Sequence, residues 1–114
     1  IMTVMEEVLL EEYMRALRIE RLLNSEIAEL PKGSIQKKKI KGREYFYLQY
    51  RCEAAVKSVY VKAQDIPELT KKLEKRKENI SALKEIQKTK AQIEKALGKD
   101  FLNEHTAEGI YQVY

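Results

Sequence analysis

The 114-residue chain has no tryptophan, one cysteine, one histidine, two prolines and four glycines, and each scarcity closes off a class of protein. With Cys52 as its lone cysteine, the chain forms no intrachain disulfide. A reducing, cytoplasmic setting is expected, with Cys52 a free thiol of the core. With His105 as the only histidine, a histidine-based triad or a multi-histidine metal centre within one chain is not expected; near the end of the chain it is expected to be merely solvated. No window approaches about eighteen uninterrupted apolar residues, so no membrane span is expected, and IMTVMEEVLL carries Glu6 and Glu7 where a secretory leader is basic. The carboxylates Glu11 and Glu12 fall on the wet side of an amphipathic pattern. Pro31-Lys32-Gly33-Ser34 leads from helix into strand, the reverse of a phosphate loop. No catalytic residue, cofactor or metal site emerges, and a protein that is not an enzyme is expected.

What the chain does have is charge, 35% of its residues, and the charge is unevenly spread. Residues 32–62 hold nine Lys or Arg against Glu44 and Glu53, a net +7 in a chain whose total is +4. The remainder is net acidic. Such a composition fits long exposed helices joined by a basic insert, within one domain of modest core.

The first 30 residues read as a helix. Met2, Met5, Leu9, Tyr13, Ala16, Ile19, Leu23 and Ile27 recur every three or four positions, and Thr3 with Glu6 has capping-box spacing. A second row, Val8, Leu10, Met14, Leu17 and Leu22, makes the apolar face wider than one partner helix needs, which predicts self-association, most simply a homodimer. Pro31 ends the helix. Residues 31–64 form the basic insert, and Asp65, with Glu68 three residues on and Pro67 in the first turn, is expected to cap a second helix over 65–97. Its stripe is Ile66, Leu69, Leu73, Ile80, Leu83, Ile86, Ile93 and Leu97, interrupted by Arg76 and Lys90, and Gly98 is the natural stop. At 1.5 Å per residue the helices are roughly 40 and 48 Å long, and their net charges, −4 over 1–30 and +3 over 65–97, favour an antiparallel, coiled-coil-like pairing. The tail 98–114 ends in IYQVY, a β-like alternation that either docks across a neighbouring subunit or stays unordered.

Inside the insert, Lys41-Gly42 predicts a two-residue hairpin turn between strands Ser34–Ile40 and Arg43–Cys52. That turn pairs Lys39 with Glu44, Lys37 with Phe46 and Ile35 with Leu48. Alternation then puts Ile35, Phe46, Leu48, Tyr50 and Cys52 on one face, the core side, and Gln36, Lys38, Tyr45, Tyr47, Gln49 and Arg51 on the other. Glu53-Ala54-Ala55 reads as a second, poorer turn, followed by a third strand over 56–62 of either parity, with Tyr60 inward preferred. The candidate site is the basic and aromatic set Lys37, Lys38, Lys39, Lys41, Arg43, Tyr45, Tyr47, Gln49, Arg51 and Lys57. Lys and Arg neutralise phosphates, tyrosines stack on bases, and Gln and Arg read base edges. The competing reading is that tyrosine is simply a good strand former and lysines guard a sheet edge; an excess of +7 interleaved with aromatics goes beyond what edge protection requires.

The run Leu30-Pro31-Lys32-Gly33-Ser34-Ile35, then Lys39-Ile40-Lys41-Gly42, Tyr45-Phe46-Tyr47-Leu48-Gln49-Tyr50-Arg51 and Ser58-Val59-Tyr60-Val61 resembles a family of small uncharacterised bacterial and archaeal proteins, a domain of unknown function. The resemblance covers about residues 30–97 and implies no activity. Three strands followed by a helix are also similar in topology to the arm-type, AP2-like DNA-binding domains of integrases, which implies DNA contacts from Tyr45, Tyr47, Gln49 and Arg51; the turn at residues 53–55 lacks the Gly or Asn expected there. The expectation is thus an α+β protein, two long antiparallel helices with a small three-stranded antiparallel sheet inserted between them. Its partner is expected to be nucleic acid, DNA first, with a protein-interaction adaptor as the other class.

Overall fold

A computed structural model describes residues 1–113, with side chains described through Thr106. The order is α1 (Val4–Glu29), β1 (Ser34–Ile40), β2 (Arg43–Cys52), β3 (Ala55–Val61), a single 3-10 turn (Ala63–Asp65), α2 (Ile66–Leu97) and α3 (Lys99–Val113). The fold is α+β, with a three-stranded antiparallel sheet between α1 and α2 in the chain. Among the described residues no helix is long and apolar enough to cross a membrane. Two compact units are present: a helical unit, Ile1–Glu26 with the chain from Ile80 onward, and a sheet unit, Ile27–Asn79.

The helical unit starts from the capping box. Thr3 N donates to Glu6 Oε1 at 2.9 Å and Glu6 N donates to Thr3 Oγ1 at 3.1 Å, so two of the amides that a helix start leaves unpaired are satisfied reciprocally. The donated Thr3 amide, followed by the Thr3 hydroxyl contact, lowers the Glu6 pKa, because hydrogen bonds to a carboxylate favour its charged form. Tyr13, Ile93 and Leu102 form the core cluster, with Leu9, Leu10, Leu17 and Leu97 packed against it. Ala16 is 1% exposed. Tyr13 donates to Glu94 Oε2 at 3.2 Å, and Lys90 Nζ pairs with Glu20 Oε1 at 3.0 Å. Partners rise along α1 as they fall along α2, so the helices run antiparallel. Lys90 interrupts the apolar stripe because its stem lies partly buried while its ammonium reaches Glu20. Burial, then the Glu94 charge and the donated bond, push the Tyr13 pKa up to about 12.

The tail is not β-like. Gly98, at φ 88°, stops α2, its N–H donates to Glu94 O at 2.9 Å, and α3 starts at once with Asp100 in its first turn, where a carboxylate complements the helix dipole. Leu102 of α3 meets part of the wide apolar face of α1. His105 is half-buried rather than solvated, with Nδ1 donating to Phe101 O at 2.9 Å and its ring stacked on Phe101 at 4.2 Å. The side chains of the IYQVY end lie outside the described residues.

In the sheet unit β1 and β2 pair in the register expected, with Ile35 opposite Leu48 and Lys39 opposite Glu44. The turn residues Lys41 and Gly42 both have positive φ, 51° and 80°, the combination that matches the strands' right-handed twist. Gly33 is required for a different reason. Its φ is 122°, and a Cβ there would overlap Gln49 O and press on Tyr50 Cβ, so only glycine lets the chain pass this close to β2. Leu73 and Asn79 of α2 are the buried residues here. Asp65 lies in the 3-10 turn that leads into α2, its N–H donating to Lys62 O at 2.9 Å.

Candidate nucleic-acid interface

The third strand decides what the sheet presents. Glu53 takes the left-handed conformation, φ 57°, and with Ala54 makes a two-residue turn, so Cys52 pairs with Ala55, Leu48 with Val59 and Tyr47 with Tyr60. A three-residue turn at 53–55 would instead set Tyr60 opposite Leu48. The one-residue difference flips every side chain of the strand, and Tyr60 therefore stands on the outward face, beside Tyr45 and Tyr47, rather than inward. A glutamate at positive φ costs about 1 kcal/mol or more, so nothing in the residue types announces this turn.

Parity now sorts the whole sheet. One face carries Ser34, Gln36, Lys38 and Ile40 from β1, Arg43, Tyr45, Tyr47, Gln49 and Arg51 from β2, and Val56, Ser58 and Tyr60 from β3. Lys62, in extended conformation just past β3, continues the parity. No acidic residue falls among them. Tyr60 is 55% exposed and its ring packs against both neighbours, 5.9 Å and edge-on to Tyr47 and 6.5 Å and tilted to Tyr45. Lys38 Nζ lies over the Tyr47 ring, 4.9 Å from its centroid, an attraction of about 0.5–1 kcal/mol at an exposed site. Gln36 Nε2 donates to Ser34 Oγ at 3.0 Å. The tyrosines thus brace one another and leave Tyr60 as the raised member, flanked by cations that have no carboxylate on their own face.

The other face holds Ile35, Phe46, Leu48, Tyr50, Cys52, Val59 and Val61, and with them Lys37, Lys39 and Lys57. Lys37 pairs with Glu44 at 3.1 Å. Of the ten expected site residues, then, Lys38, Arg43, Tyr45, Tyr47, Gln49 and Arg51 come together on one face, Lys37, Lys39 and Lys57 stand on the opposite one, and Lys41 sits in the turn. Tyr60 and Lys62 are the members the sequence did not supply. Two grooves open on the inner face, divided by Leu30, Pro31 and Leu48. One, of about 600 Å³, runs past Val59, Val61 and Leu69 and is rimmed by Glu29, Asp65, Glu68 and Lys72. The second, of about 480 Å³, runs past Ile27, Ala28 and Tyr50 and is rimmed by Lys32 and Arg76.

Residues 10–71, more than half of the chain, match one family. The protein belongs to the family described as Domain of unknown function (DUF6788). The DUF6788 region takes in most of α1, the whole sheet and the first turns of α2, so it starts earlier and ends sooner than the resemblance over 30–97. Every residue of the tyrosine face lies within it. No curated protein and no solved structure matches the chain, and the resemblance to integrase arm domains gains no support from them.

Proposed function

We propose that this DUF6788 member is a small, non-enzymatic nucleic-acid-binding protein, with DNA as the first candidate polymer, and that it binds through the outward face of its sheet. The observation that carries the reading is the acid-free face on which Tyr60 stands between Tyr45 and Tyr47, with Lys38, Arg43, Arg51 and Lys62 around them. The cations bring the face to a phosphate backbone and release counterions; the exposed ring and Gln49 contact bases, as a strand-built reader does in a groove. An intracellular site of action, where Cys52 stays a thiol, accompanies this reading.

Salt dependence tests it. With about four phosphates neutralised, log affinity for a DNA duplex falls against log salt with a slope of about −3 to −4. Lys38→Ala makes that slope shallower by about one unit, whereas Lys37→Ala and Lys57→Ala, on the opposite face, leave it unchanged. Binding no tighter than about 10⁻⁴ to 10⁻⁶ M at physiological salt, indifferent to Tyr60→Ala and Tyr47→Ala, would discard the proposal.

One observation favours a second reading, that of a protein-interaction or self-associating module. Ile1, Val4, Met5 and Val8 form an exposed apolar strip at the start of α1, and such a strip marks a contact surface when it is contiguous. Sedimentation that gives only a monomer at tens of micromolar (on the order of ordinary dimer constants) would remove the homodimer form of this reading.

A further inference from the structure

The groove rimmed by Lys32 and Arg76 differs from its neighbour in a way that packing alone does not require. Arg76 Nε is buried without a hydrogen-bond partner, and among the described residues no carboxylate pairs with the guanidinium. Lys32 and Lys77 line the adjoining hollow with it, beside Pro31 and Gly33. A buried donor without an acceptor is uncommon in a native protein and calls for an explanation. Two further cations beside it, Lys32 and Lys77, with no acid among the lining residues of either hollow, raise the local potential for an anion further. Across the Leu30–Pro31–Leu48 divide the other groove carries Glu29, Asp65 and Glu68, so the two grooves are of opposite sign.

We propose that the Lys32–Arg76 groove is a binding site for a small amphiphilic carboxylate, with the carboxylate on Arg76 and Lys32 and its apolar body along Ile27, Leu30, Pro31 and Leu48. The apolar walls argue for the body, since a bare ion would leave them wet. The planar guanidinium argues for the head, because its parallel N–H groups match the two oxygens of a carboxylate. The volume of about 480 Å³ is ample for a ligand of six to eight carbons. Tyr50, also in the lining, offers a phenol that can donate to the same head. This site lies on the inner side of the sheet and does not depend on the nucleic-acid reading.

Hexanoate, butanoate, 1-hexanol and inorganic phosphate, titrated into the full ¹⁵N-labelled chain, test the site. Hexanoate is expected to give saturable amide shifts at Ile27, Leu30, Leu48 and Tyr50 with a Kd on the order of 1 mM, the range open to so small a ligand. Each added methylene tightens binding by about fourfold, so butanoate is weaker by about fifteenfold. Hexanol and phosphate are each weaker than hexanoate by about tenfold or more, one lacking the charge and the other the body. Arg76→Gln weakens hexanoate and spares hexanol, and Lys32→Gln, at an exposed position outside the helices, does the same to a smaller degree if Arg76→Gln fails to fold. Hexanol binding as tightly as hexanoate would reduce the site to an apolar cleft, and phosphate binding as tightly would reduce it to a bare anion site. Either result overturns the proposal. So do shifts confined to Val59, Val61 and Leu69 in the acidic groove, no saturable shift at all, or indifference of hexanoate to both variants.

Discussion

In the helical unit Ala16 is 1% exposed, and Ile93 and Leu102 are 5% and 7% exposed; in the sheet unit no residue of β1, β2 or β3 is buried. The helical unit is held by side chains that meet from three helices around Tyr13. The sheet is held by its ladder, by two tight turns and by a half-covered inner face. A structure of the second kind changes its outward side chains at little cost to folding, because they contribute little to it. That is the physical opening for function, and it is where the tyrosines and cations sit.

The contrast has a weak point, and the largest expected effect falls there. The sheet unit depends on backbone approach at Gly33. Gly33→Ala is expected to cost about 3 kcal/mol or more, since it adds steric overlap with Gln49 O to an unfavourable φ, whereas Gly42→Ala, with open space around it, costs about 1 kcal/mol from φ alone. Urea unfolding of the two variants measures the difference; equal losses would mean that Gly33 is only another turn residue. Next in size, Leu102→Ala should cost about 2–4 kcal/mol as a buried truncation, and the half-buried Leu48→Ala about 1–2 kcal/mol. A reversed order would place the real core under the sheet.

Tyr13→Phe comes third, at about 1 kcal/mol for the bond donated to Glu94. Its pH signature is more telling than its size. The folded-state pKa is raised from 10.0 to about 12, so the protonated phenol's contribution is fully present below pH 10 and is lost as pH rises through about 12. Stability of the wild type should therefore fall more steeply than that of Tyr13→Phe across this window, as read by denaturation at each pH; parallel curves would contradict the buried bond. The smallest effect, within about 0.5 kcal/mol, is expected for Gln49→Ala on the outward face. A loss larger than that of Leu48→Ala would exchange the two faces.

Local chemistry was legible in the sequence and long-range packing was not. The Thr3–Glu6 box, the Lys41-Gly42 turn and the β1–β2 register each depend on residues within about fifteen positions, and the structure has all three. The third strand's parity hung on one turn whose residues, Glu53 and Ala54, give no sign of a positive φ. The tail was misread because IYQVY alternates like a strand, while the stronger signals, Gly98 as a stop and Asp100 in a first turn, lie just before it. That Leu102 would meet α1 could not be read from spacing, since a stripe shows that a face needs cover and not what supplies it. Six of the ten candidate site residues share a face because β1–β2 alternation was right. Tyr60 was lost to the turn.

The antiparallel order β1-β2-β3 also sets a timetable. Its pairings are local, the widest in the first ladder joining Ser34 to Gln49, whereas Tyr13–Glu94 and Glu20–Lys90 join residues 81 and 70 positions apart. Closing a long loop costs entropy before any contact repays it, and nearby pairings close first. The chain between Glu26 and Ile80 is that loop, and the sheet forming within it shortens the span that the helices must close. Pulse-labelling of amides during refolding should therefore protect Tyr47 and Leu48 before Ile93 and Leu102. The opposite sequence of events would show that the ends find each other first and that the sheet is threaded in afterwards.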